Sequence, residues 1–362
     1  MSGKWRSKLV LASVLLPALF LLHTGCDKKS GEHGAQAPVP HAKAAEQYAD
    51  PMVSPLLKRA EWAMENGAYT TALAICDQLD KRVPNFAHAY FLRGQTLTNL
   101  NRHDEARTAF EKAQTLDPNF PAIRFTLGNN AAQRKQFREA LKYYEAERAA
   151  MLPDTPLPKQ RAILLQTGRA HKELGEIDKA RAAFQQVVVV DENFAEGYAE
   201  LGQIYQEEGE LEKALAAQMH ALELQLENGD YSYYVGALLV QLGRPSDAVA
   251  HLEKAKAQRP WFHGVYYHLG RSLIAMGRKR EGERYLALVD SMQARDSQLG
   301  VAKTNAEQQD TPEKWMRYAD MLYHDKRYME ALETYQVAQY LNPRDSLAVK
   351  AVLKTKRVLA VR

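Results

Sequence analysis

Residues 94–118 read GQTLTNLNRHDEARTAFEKAQTLDP. Gly94 is followed twelve residues later by Ala106, then by the bulky Phe110, by Ala113 and by a closing Pro118. The same frame returns as Gly236, Ala248, Leu252, Ala255 and Pro260, and near the C-terminus as Trp315, Ala319, Ala331, Tyr335, Ala338 and Pro343. Such segments align at a spacing of about 34 residues, and a fixed period of that size marks a solenoid, whose units bury their apolar faces only against one another. Between the halves of each unit stand turn sequences: LNRHD at 100–104, LGEID at 174–178, EGELE at 208–212 and LGRPS at 242–246. Gly175, Gly209 and Gly243 are placed there to end a first helix in the left-handed conformation.

These residues resemble the tetratricopeptide repeat, whose signature carries Trp, Leu-Gly, Tyr, Ala, Phe, Ala and Pro at matching offsets. The resemblance covers residues from about 53 to 345, with eight repeats starting near 53, 87, 121, 161, 195, 229, 263 and 312. Single copies depart from it. Glu192 replaces the closing Pro of the fourth, Gly282 replaces the second small residue of the seventh, and MLPDTPLPKQ at 151–160 separates the third from the fourth. The resemblance implies an all-α fold: an α-solenoid, a right-handed superhelix of about eight helix-turn-helix repeats with a C-terminal capping helix. Each repeat is then two antiparallel helices in close approach, so facing pairs such as Gly128 with Ala140, Gly168 with Ala180 and Gly202 with Ala214 have to stay small.

Composition agrees with a packed chain. Of 362 residues, 46% are hydrophobic and 25% charged, far from the disordered extreme. The formal charge is +4, but Lys4, Arg6 and Lys8 lie among the first 25 residues, which hold no acid; removal of a leader leaves about +1. Nucleic-acid binding thereby loses its electrostatic basis. Two cysteines, Cys26 and Cys76, supply no disulfide framework, and Cys76 reads as a small buried apolar side chain.

The leader has the layout of a secretory signal peptide. A cationic start precedes Leu9 to Leu22, a run without charge that spans roughly 21 Å as a helix, against about 30 Å of bilayer hydrocarbon. Thr24 and Gly25 before Cys26 resemble the lipobox of bacterial lipoproteins, in which the cysteine is acylated and becomes the N-terminus. His23 departs from it, since the family usually has an aliphatic residue there. The resemblance implies a lipid anchor at Cys26, a palmitate-type modification that fixes the protein in the bacterial cell envelope facing the periplasm, at either membrane. Behind it the polar, Gly/Ala/Pro-rich segment to residue 47 reads as a flexible tether with a reach of roughly 25 Å. His33 and His41 in that segment lack the spacing of a metal tract.

The expected organisation is therefore a signal peptide at 1–25, a lipidated Cys26 and tether at 26–50, repeats one to seven at 53–291, a polar linker at 292–311, repeat eight at 312–345 and a capping helix at 346–362. The basic residues of that last helix, Lys350, Lys354, Lys356 and Arg357, read as its solvated face.

No phosphate-binding glycine loop, paired-cysteine motif, HExxH or GxSxG occurs, so no catalytic residue, metal ligand or cofactor is expected. The resemblance implies instead a concave surface lined by the first helices, which in this family holds peptides or partner helices. Its inward offsets fall on Phe91, Gln95, Phe125, Asn129, Arg169, Lys172, Gln203, Tyr233, Tyr267 and Arg271. The carboxylate clamp of the chaperone-tail subclass is not matched: with Asn129 as anchor, Phe125, Gln166, Glu196 and Glu200 occupy the other positions, and two of these are acids where cations are required. The reading is a non-catalytic protein-interaction scaffold anchored in the envelope, with no nucleic-acid partner. The alternatives are an assembly factor for polysaccharide secretion, pilus or outer-membrane machinery, and an enzyme with a cryptic groove site near Arg169 and Lys172.

Metabolic labelling with a fatty-acid analogue tests the leader: wild-type protein is expected to label and Cys26→Ser to lose the label, and equal labelling of both sinks the lipoprotein assignment.

Overall fold

A computed structural model describes residue 48 and residues 50–361 except 66 and 121. The signal peptide, Cys26 and the tether to residue 47 lie outside the described residues. Those that are described form an all-α solenoid of repeats, with 17 helices and no strand. Contacts divide the chain into two compact units, one through Ala183 and one from Phe184.

The first unit contains three helical hairpins, α1 (Val53–Glu65) with α2 (Tyr69–Arg82), α3 (Ala87–Asn99) with α4 (His103–Leu116), and α5 (Ile123–Gln133) with α6 (Phe137–Ala149), followed by α7 (Leu157–Glu173). Helix α8 (Ile177–Val190) crosses the boundary. The second unit holds α9 (Ala195–Glu207) with α10 (Leu211–Leu224), α11 (Gly229–Gln241) with α12 (Pro245–Gln258), α13 (His263–Ala275) with α14 (Lys279–Gln309), α15 (Pro312–His324) with α16 (Tyr328–Leu341), and a final helix α17 (Ser346–Val361).

Each first helix ends in the same way. A single residue takes a positive φ at Gly67, Asn101, Lys135, Gly175, Gly209, Gly243, Gly277 and Lys326, between 58° and 81°. The following N–H then bonds back to the carbonyl five residues earlier: Arg102 N to Leu97 O at 2.9 Å, Arg244 N to Leu239 O at 2.8 Å, Arg327 N to Leu322 O at 3.0 Å. This left-handed cap satisfies the orphan carbonyls of a helix end and reverses the chain in few residues. Its recurrence at all eight places defines eight turns, three of them without glycine.

Packing within a hairpin is set by what lies over the small residue of the first helix. A Cβ on Gly94 would stand 2.5 Å or less from two ring atoms of Phe110, one on Gly128 2.5 Å from the Tyr144 ring, and one on Gly236 2.6 Å from Leu252 Cγ. The glycine thus accommodates the bulky side chain sixteen residues on, more directly than the alanine twelve on. Ala106, Ala140 and Ala248 are themselves fully buried in the same contact. Cys76 is likewise buried in the first hairpin, and desolvation pushes its thiol up to about 12, so it serves as an apolar packing group.

Helix α14 differs from the linker expected at 292–311. It runs unbroken for 31 residues, about 46 Å. Gly282 and Val289 are buried on its first half, where it packs on α13; Leu299 and Ala306 are buried on its second half, on a different side of the helix. There α15 packs against it, tied by Arg295 to Asp325 at 2.9 Å and by Trp315 Nε1 to Asp310 Oδ1 at 2.9 Å. Glu283 and Asp290, both exposed, stand in the repeat frame where α10 has the buried Leu215 and Leu222. Charges at those points deny the next hairpin its usual seat, and it sits further along. Two buried residues in seventeen leave no apolar period to read in the sequence.

Two glycines of this one helix should respond in opposite ways. A Cβ on Gly282 would lie 2.5 Å from the Gly270 carbonyl oxygen, whereas one on Gly300 meets nothing within 4 Å. Gly282→Ala is expected to cost about 1–3 kcal/mol, and Gly300→Ala to add about 0.5–1 kcal/mol through helix propensity. Urea unfolding midpoints of the two variants check the pair; a loss of stability in Gly300→Ala is incompatible with a continuous helix there.

Candidate functional site

The first helices of the hairpins carry the predicted surface, and each unit holds its own part of it. In the first unit two of the expected residues are elsewhere. Phe91 is only 5% exposed and its ring lies 4.9 Å from Phe120 and 5.8 Å from Phe110, inside the core. Gln95 is also buried, and its Oε1 has no hydrogen-bond partner among the described residues. The cause is a cluster of rings around the start of α3. Phe86, His88, Phe91 and Phe120 pack edge on or tilted at 4.9 to 6.5 Å, and the Tyr48 hydroxyl lies 3.0 Å from His88 Nδ1. Burial holds the His88 imidazole down to about 4, so it is neutral and can accept that hydroxyl proton.

The remainder of the first unit's surface gathers around Tyr144. Its hydroxyl donates to Asn129 Oδ1 at 2.8 Å, and its ring lies 5.8 Å from that of Phe125. Burial raises the phenol, while the nearby positive charge of Arg169 acts in the opposite sense. Arg169 and Lys172, both half-buried on α7, are engaged in contacts of their own. Phe125, Asn129 and Arg169 are thus brought together by a tyrosine of the second helix α6.

The second unit presents a continuous aromatic and polar face. Gln203 is half-buried on α9, and Gln206 Nε2 donates to Gln241 Oε1 on α11 at 3.2 Å. Tyr233 of α11 stands edge on to Phe262 at 4.7 Å, to Tyr234 at 5.3 Å and to His268 at 5.8 Å. This close approach depends on Gly264, where a Cβ would meet the Tyr233 hydroxyl at 2.9 Å and the Phe262 ring at 3.0 Å. On α13, Tyr267 is 40% exposed; the Arg271 guanidinium lies 5.7 Å from its ring and donates to its hydroxyl at 3.3 Å. The His268 ring lies 5.2 Å from that of Tyr267, and its Nδ1 is buried without a partner among the described residues. Burial, with Arg271 second, depresses its pKa. The face therefore offers two phenols, an amide, a neutral imidazole and an exposed guanidinium beside aromatic edges, a set suited to hydrogen-bond a peptide backbone and to take one carboxylate.

Sequence offsets reached Gln203, Tyr233, Tyr267 and Arg271 but passed over Phe262, His268 and Gly264. Phe262 belongs to a signal the repeat frame contains: a phenylalanine two residues after the closing position, at Phe86, Phe120, Phe194 and Phe262. In the first unit Phe86 and Phe120 are buried, whereas Phe262 is half-buried and borders the tyrosines. No group of three His, Cys, Asp or Glu side chains that could hold a metal is found among the described residues.

Comparison with known proteins agrees with this architecture. A family model described as Tetratricopeptide repeat matches residues 87–120 and 195–228, a second of the same description matches 239–306, and one described as TPR repeat matches 168–209. The chain is a tetratricopeptide repeat protein. Among solved structures it is similar to PilW, described as a widely conserved type IV pilus biogenesis factor, at 18% identity and TM-score 0.53, over 60% of this chain and 97% of that one. It is also similar to MamA, at 23% identity and TM-score 0.41 over 48% and 97% of the two chains, and to YrrB, described as a TPR protein with an unusual peptide-binding site, at 21% identity and TM-score 0.40 over 52% and 95%. At such identities the PilW likeness speaks for the fold alone. No curated protein sequence matches the chain.

The imidazole of His268 reports on the second unit's face. By NMR it should titrate below the usual 6.5 of histidine, and Arg271→Gln should move its pKa upward while leaving it below 6.5, because burial is the larger cause. A pKa unmoved by the substitution contradicts the His268–Arg271 proximity.

Proposed function

We propose that this protein is a non-catalytic scaffold of the bacterial cell envelope, held to a membrane by acylation of Cys26 and facing the periplasm, that binds extended protein segments on the first-helix faces of its repeats. The observation that carries the binding reading is the second unit's face, where Tyr233, Tyr267 and Arg271 lie beside one another on successive first helices with Phe262 and His268 between them. Tyrosine and arginine are among the residue types that dominate binding energy at protein interfaces, since both bring large contact area and hydrogen-bonding capacity. The exposed guanidinium favours a segment with a carboxylate near that end. Among the described residues no helix is long and apolar enough to cross a membrane, so the membrane association proposed here rests on the N-terminal cysteine.

Crosslinking in intact membranes, followed by identification of the captured proteins, tests the reading. Tyr233→Ala combined with Arg271→Glu is expected to remove at least one specific partner, with an affinity loss on the order of thirtyfold or more if these are hot-spot residues. Arg169→Glu makes the same test in the first unit. A partner set unchanged in all variants excludes these faces as the binding surface.

A further inference from the structure

At several hairpin turns a cation is paired with a nearby acid. Arg102 bonds Glu105, Arg244 bonds Asp247 and Arg278 bonds Glu281, each three residues on, with the acid also favourably placed in the first turn of the second helix. Helix α17 offers its cations no such acid. Residues 346–362 contain Lys350, Lys354, Lys356, Arg357 and Arg362 and no acid. Among the described residues Lys350 and Arg357 make no ion pair, and Lys354 is engaged only by the ring of Tyr323, 4.5 Å from its centroid.

The cations are also arranged. Lys350, Lys354 and Arg357 are spaced four and three residues apart, so they rise along one side of the helix. Ala348, Val352 and Thr355, on the opposite side, are buried where α17 packs on α16. Leu347 and Leu353 flank the cationic stripe and are 66% and 52% exposed, though capping the last hairpin does not require them to be. A stripe of cations alone would suit any polyanion. Exposed leucines at its edges suit the boundary between headgroups and acyl chains, where lysine and arginine stems lie along apolar surface and their charges reach outward.

We propose that the exposed face of α17 is a docking surface for an anionic phospholipid bilayer, with Lys350, Lys354 and Arg357 against the phosphate headgroups and Leu347 and Leu353 entering the interfacial layer. This surface is separate from the peptide-binding faces and depends on neither their occupancy nor acylation of Cys26. Each cation near an anionic membrane strengthens binding about fivefold, so three together contribute on the order of a hundredfold. The attraction weakens with salt.

The experiment is flotation of the full chain with vesicles of equal parts phosphatidylglycerol and phosphatidylcholine, and with vesicles of phosphatidylcholine alone. Any contribution of an N-terminal anchor is common to wild type and variants. Wild type is expected to prefer the anionic vesicles and to lose the preference at high salt. Lys350→Gln with Lys354→Gln and Arg357→Gln should lower anionic partitioning on the order of a hundredfold, with circular dichroism unchanged because all three side chains are exposed. Leu347→Gln with Leu353→Gln should weaken binding to anionic vesicles while the salt dependence is retained. Equal partitioning of wild type into both vesicles, or an anionic preference that survives the triple variant, overturns the proposal. Undiminished binding of the leucine variant overturns the bilayer as partner, leaving a merely cationic face open to an acidic protein.

Discussion

The fit of one bulky side chain over one bare helix backbone sets the geometry of the hairpins built on Gly94, Gly128 and Gly236. Phe110 over Gly94, Tyr144 over Gly128 and Leu252 over Gly236 occupy the space that a single methyl group would fill. Interiors are packed too densely to absorb such an addition without displacement. Because the two helices are held this close, the turn between them has to reverse within a few residues, which is why a left-handed residue closes every first helix. Where glycine is missing at that turn, Asn101, Lys135 and Lys326 accept the conformation, an indication that packing outweighs the local strain.

The same constraint explains where the array departs from its period. In the seventh repeat both contact positions are glycines, Gly270 and Gly282, and the approach becomes one of backbone on backbone. Helix α14 then continues well past the length of the other second helices because the seat for the next hairpin is carried on its second half, at Leu299 and Ala306. The insert between the third and fourth repeats is secured differently, by the buried carboxylate of Glu147, which Lys159 meets at 2.6 Å and Arg124 at 4.0 Å. A buried acid paired with two cations in this way ties α7 to α5 and α6, and removing one partner would leave an uncompensated charge.

Burial also separates the two candidate faces in chemistry. In the first unit the rings near the start of α3 close on one another and on His88, so Phe91 and Gln95 are withdrawn and the surviving surface is a small polar group around Tyr144. In the second unit Gly264 leaves room for Tyr233 beside Phe262, and the rings stay at the surface with Arg271 among them. Equivalent repeat positions such as Phe91 and Tyr267 are thus core in one unit and exposed in the other, according to whether neighbouring rings close over them.

The repeat frame, four of the turns and the helical class were legible in the sequence because they depend on residue size at fixed spacing: Gly94 with Ala106 and Gly236 with Ala248 keep a helix contact small, and the glycines at 175, 209 and 243 each end a first helix. Tyr233, Tyr267 and Arg271 followed from the same offsets. Which inward-facing residues remain available to a partner was not legible, since the exposure of Phe91 depends on Phe120 and Phe110, and the role of Phe262 on the missing side chain of Gly264, all distant choices made by packing. The continuity of α14 was hidden for a related reason: helix formation there rests on two buried side chains and a neighbouring hairpin, not on a local apolar period. Sequence alone determined the unit and its repetition, because these are set by sterics between residues at fixed separation. Tertiary structure alone decided which faces are core and which are surface, because that depends on what each neighbour brings to the contact.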